Sequence, residues 1–124
     1  MRYVIWRNGE FLLLKNGADL QRAFAPIESE VEALSYAIAA TGLGARYGLE
    51  KESGLRYFTD ELEDTSVQRS NESYRVRLFD YHLCGCGPHT HYSVDIQVRL
   101  DGGVEELSRQ PLYEDPEEDG LCID

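Results

Sequence analysis

The sequence predicts an α+β fold: one main helix, at about residues 29–41, packed on an antiparallel β-meander and preceded by an N-terminal β-hairpin. Three observations predict it. Tyr92, Val94, Ile96, Val98 and Leu100 alternate with Ser93, Asp95, Gln97 and Arg99, the period of a strand with one face buried. Ser29 and Gly42 bracket an apolar helical stripe. Asn8-Gly9 separates two short arms rich in strand formers.

The hairpin comes first. Asn-Gly suits a two-residue type I′ turn, because both central positions need positive φ. Its second arm, Phe11-Leu12-Leu13-Leu14, is apolar on both faces. Both faces are then buried, or one meets a partner chain. Residues 18–24 fit a short helix or a third strand equally well.

The main helix opens with Ser29 and Glu32, a capping-box pair whose side chains satisfy backbone donors of the first turn. Glu28, Glu30 and Glu32 complement the positive end of the helix dipole. Val31, Leu34, Ile38 and Thr41 form the expected stripe, widened by Ala37. Ala33, Ala37, Ala39 and Ala40 are small enough to let a sheet approach closely. Gly42 supplies the stop.

Residues 43–54 are loose and glycine-containing, and residues 55–69 carry only a weak strand signal. The next strand starts at Tyr74, with Tyr74, Val76 and Leu78 on one face. The phase then flips to Phe79, Tyr81 and Leu83, which predicts a β-bulge near Leu78-Phe79. After residues 92–100, Asp101-Gly102-Gly103 turns the chain into a last strand at 104–109. Strands grouped apart from the helix argue for an antiparallel α+β sheet. One helix across a curved meander is similar to the architecture of cystatin-like proteins. The likeness is one of fold alone, since no cystatin inhibitory motif is present.

Residues 1–112 are expected to form a single domain. Residues 113–124 read as an acidic tail docked through Leu121–Ile123, with Pro111 and Pro116 arguing against regular structure around it. The chain has 124 residues and a formal net charge of −11, from 23 Asp and Glu against 12 Lys and Arg. Nucleic acid and anionic membranes need clustered cations in a partner and are not expected. A basic protein is the electrostatic complement. The acids expected to meet it are Asp60, Glu61, Glu63, Asp64, Glu114, Asp115, Glu117, Glu118 and Asp119. With no signal-like segment or apolar run of membrane-spanning length, the expected location is cytoplasmic, or secreted if a cleaved signal has been removed.

Residues 84–91, Cys-Gly-Cys-Gly-Pro-His-Thr-His, concentrate the chemistry-bearing side chains. Cys84, Cys86, His89 and His91 form a soft donor set suited to tetrahedral zinc. His82 or Cys122 can replace one member. The single residue between the cysteines is shorter than the usual spacing in structural zinc sites. A Cys86–Cys122 disulfide is the alternative, with Cys84 as a second candidate for the bond. Closing that loop stabilises by about 3–4 kcal/mol in an oxidising compartment. A Cys86–His89 nucleophile pair is a third option, without an orienting carboxylate or oxyanion motif to support it.

The function expected from these features is that of a small acidic, non-enzymatic binding protein. It would be of the inhibitor or immunity type and capture a basic partner. The alternative is a small zinc metalloprotein using residues 84–91. The apolar N-terminal hairpin also offers an edge for a homodimer.

Overall fold

The computed structural model describes residues 2–81 and 85–123. Strands β1 (Tyr3–Arg7) and β2 (Glu10–Leu14) form a two-stranded antiparallel hairpin. Asn8 and Gly9 both hold positive φ, 51° and 79°, as the type I′ turn requires. The segment compatible with helix or strand is a helix, α1 (Gly17–Phe24). Asn16 caps it by accepting from the Asp19 amide at 2.9 Å, and Leu20 anchors it in the core.

The main helix, α2, spans Glu30–Thr41. Ser29 Oγ accepts from the Glu32 amide at 3.1 Å, and Gly42 takes the left-handed conformation that ends the helix. Glu32 reaches back one residue further than a capping box requires, accepting from the Glu28 amide. The expected stripe is rotated. Ala33, Tyr36 and Ala37 are the fully buried positions, while Val31 is 75% exposed. Val31 lies roughly half a turn around the helix from those three, on the face turned away from the core. The small alanines face inward and permit the close approach.

A curled five-stranded antiparallel sheet carries the core, in the order β3 (Arg56–Tyr57), β8 (Val104–Glu114), β7 (Thr90–Arg99), β5 (Ser73–Tyr81), β4 (Val67–Arg69). A further pair joins β6 (Gly85–Cys86) to β9 (Cys122–Ile123). The helices cover one face of the large sheet. There Tyr74, Val76 and Leu78 of β5 meet Val98, Ile96 and Val94 of β7, all essentially inaccessible. Tyr36 donates its hydroxyl to the Gly102 carbonyl at 2.7 Å, fixing the β7–β8 turn to α2. Gly102 has φ of +89°, and a Cβ there would lie 2.7 Å from the Gln21 side chain, so only glycine fits.

The bulge expected at Leu78-Phe79 is absent. The β5–β7 register runs unbroken from Ser73↔Arg99 to Tyr81↔His91. Phe79 is buried because the opposite face is covered too, by the 43–66 segment. Leu49, Leu55, Tyr57 and Leu62 pack there on Phe79, Leu112 and Tyr113. The register shifts instead lie between β7 and β8, where Leu107 and Leu112 are the extra residues. The second shift puts consecutive residues Leu112 and Tyr113 into one cluster, which an unbroken strand cannot do. It also explains how β8 passes through Pro111 to Glu114, beyond the expected end at Arg109, since proline is tolerated beside a bulge. Among the described residues, no helix is long and apolar enough to cross a membrane.

Candidate functional site

The 85–91 loop and the C-terminal tail meet at the end of β5 and β7. Cys86 and Cys122 face each other across the β6–β9 pair and form a disulfide, with 36 residues of sequence separation. Cys84 and His82 lie outside the described residues. A short 3₁₀ turn, Pro116–Glu118, brings the tail back over the loop. Asp115 caps that turn through the Glu117 amide at 3.0 Å.

His89 is buried at 1% exposure beneath the turn. Its Nδ1 lies 3.1 Å from the Glu118 carbonyl and its Nε2 3.2 Å from the Gly85 carbonyl. A metal would have to displace one of these contacts. His91 is stacked between Tyr81, at 3.9 Å, and Tyr113, at 4.3 Å, with near-parallel rings. Burial pushes the His91 pKa down, and the charge of Arg46 adds to that. Arg46 donates to the Tyr113 hydroxyl at 2.8 Å and so closes the stack. Tyr81 donates to the Glu118 carboxylate, and its pKa is pushed up to about 12 by burial first and by Glu118 second.

The four nominated zinc donors are therefore not seen as one cluster. Cys86 is in a disulfide, His89 contacts two carbonyls and His91 is stacked. Among the described residues, no group of three or more His, Cys, Asp or Glu is placed to hold a metal ion. The same bond occupies Cys86 as a candidate nucleophile. Leu121 remains 45% exposed. Polar contacts add to the disulfide and the β6–β9 pair in holding the tail: Arg56 grips Asp119 at 2.6 Å and Glu114 at 3.0 Å. These contacts raise the Arg56 pKa, while the Arg56 hydrogen bond lowers that of Asp119.

The nominated acids divide by role. Asp64 accepts from the Gly48 and Leu49 amides, both at 2.9 Å, and its pKa is lowered by those bonds. Glu114 accepts from Thr90 and Arg56. These carboxylates organise the chain. Asp60, Glu61, Glu63 and Glu117 face outward. Asp60 is fully exposed, with Lys51 at 3.6 Å, and Glu63 pairs with Arg77.

One arrangement was not anticipated. Arg75 and Arg77 on β5 flank Asp95 on β7, which is buried. Arg75 Nη2 lies 2.6 Å from Asp95 Oδ2, and Arg77 Nε 3.2 Å from Oδ1. Burial alone would raise the Asp95 pKa, but the two guanidinium groups more than offset it and hold the carboxyl below its usual range. The three residues floor an open groove of about 590 Å³ walled by Glu63, Asp64, Ser66 and Gln68. Two arginines at i and i+2, with an aspartate in the polar phase of the neighbouring strand, were the available signal.

Comparisons with family models, with curated proteins and with solved structures found no match to this chain.

Proposed function

We propose that this chain is a non-enzymatic binding protein that captures a basic protein partner through its outward carboxylates, chiefly Asp60, Glu61, Glu63 and Glu117. The observation that supports this is an unequal use of charge. Arginines are engaged by the chain itself: Arg56, Arg75, Arg77 and Arg109 pair with carboxylates, while Arg46 and Arg69 lie over tyrosine rings. Much of the acid excess is left facing water. Such a field accelerates capture of an oppositely charged surface and is sensitive to salt. For the architecture, the comparison we favour is with cystatin-like proteins, in which a helix crosses a curled meander; it carries no function.

The test is capture from the chain's native source at low ionic strength, followed by association kinetics with the captured protein. The expected partner is basic. Its association rate falls at least tenfold when Asp60→Asn, Glu61→Gln, Glu63→Gln and Glu117→Gln are combined, and falls again with added salt. Failure to capture a partner, or a rate indifferent to both changes, overturns the proposal.

A further inference from the structure

The hairpin β1–β2 has two unlike faces. Its inner face packs on the helices and core through Ile5 and Leu14, and the Tyr3 hydroxyl donates to the Ala39 carbonyl at 3.1 Å. Its outer face is a ladder of two apolar cross-strand pairs, Val4↔Leu13 and Trp6↔Phe11. These side chains are 65%, 50%, 63% and 74% exposed, respectively. Trp6 and Phe11 already pack edge to face, with centroids 4.7 Å apart. The side chains do not fold back onto the body, and the ladder has no polar member.

We infer that this outer face is the contact between two copies of the chain. Area is the first argument. The four side chains expose roughly 500 Å² per copy, given about 150–250 Å² for a whole aromatic side chain and less for an aliphatic one. Face-to-face pairing then removes about 1,000 Å² in total, close to the lower limit for a specific interface. Charge is the second argument. The hairpin and its flanks carry Arg2, Arg7 and Lys15 against a single acid, Glu10, in a chain of net charge −11. Two such chains can approach here without opposing their acidic surfaces, whereas contact elsewhere brings carboxylates together. The overall negative charge disfavours an anionic bilayer. A dimer formed this way presents its acidic surfaces twice, so a multivalent basic partner gains avidity.

Sedimentation velocity of the full chain, from low micromolar to several hundred micromolar, tests the inference. A monomer–dimer transition is expected. Trp6→Ser and Phe11→Ser should each raise its midpoint concentration at least tenfold, as truncation of a central aromatic anchor does. Val31→Ser, at an exposed site off the hairpin, should leave it unchanged. Val4→Thr keeps strand propensity and serves if a serine variant loses its far-UV spectrum. A monomer at all concentrations overturns the inference. So does a midpoint indifferent to the hairpin variants, or a chain that stays monomeric yet co-sediments with neutral lipid vesicles.

Discussion

Leu78 and Phe79 are neighbours on β5 and face opposite sides of one sheet. The side of Leu78 is apolar: helices and strands meet through alanine, valine, isoleucine, leucine and tyrosine, and the contacts are regular along two strands. The side of Phe79 is assembled from unlike parts. A small aromatic cluster lies under a loop, a buried carboxylate sits between two arginines, and a histidine is stacked between tyrosines. One sheet thus supports both a packed interior and a mixed surface. The difference arises from the strands and from what covers them: Tyr74, Val76 and Leu78 keep one face apolar, whereas Arg75, Arg77 and Asp95 share the other with Phe79.

Truncating the two neighbours in turn separates the two sides. Leu78→Ala should cost about 3–4 kcal/mol in urea denaturation followed by far-UV circular dichroism, since the rigid helix layer cannot close the cavity. Phe79→Ala removes more atoms but should cost less, about 2–3 kcal/mol, because the 43–66 segment can settle into the space. An equal or larger cost for Phe79 would merge the two clusters into one core. Asp95→Asn should cost about 1.5–2 kcal/mol by the same measurement, the low end of the range for hydrogen bonds to charged groups. Arg75 is half exposed and can return to water, which keeps the loss below that of a fully buried pair.

Acid should act on the mixed side in two steps. The His91 pKa is depressed in the fold, so the unfolded chain takes up that proton first. Stability is therefore full above about pH 6.5 and declines as pH falls toward the folded value. The pKa values of Asp95, Asp64 and Asp119 are also lowered, and their contribution is lost only below about pH 3.9. His91→Phe should abolish the first step and keep the second; a surviving first step would assign it elsewhere. The gentlest test leaves stability aside. Protein purified without chelator should carry less than one equivalent of zinc while the Cys86–Cys122 bond is intact. A full equivalent, with thiols that react only after chelation, would make residues 84–91 a metal centre instead.

The two sides were unequally legible in the sequence for the same physical reason. Tyr92–Leu100 and Tyr74–Leu78 announce a covered face by period alone. Asn8-Gly9, Ser29 and Gly42 announce turn and caps by local backbone chemistry. The burial of Phe79 depends on a segment 17 to 30 residues away folding over it, so its phase flip looked like a local bulge. Pro111 looked like a strand end because the extra Leu112 beside it has no signature of its own. At the candidate site, the pairing of Cys86 with Cys122 was one of several options that spacing left open. The Tyr81–His91–Tyr113 stack needs three strands in register and could not be read from any one of them.

The chain has a single tryptophan, and it stands on the outer face of the hairpin. Its indole is already largely in water while the buried tyrosines hold the interior. Intrinsic fluorescence of this protein should therefore change little on denaturation and respond chiefly to whatever covers the hairpin. Trp6 is a built-in optical reporter of contact, blind to the core, and the melting of the fold must be followed through the tyrosines or the backbone.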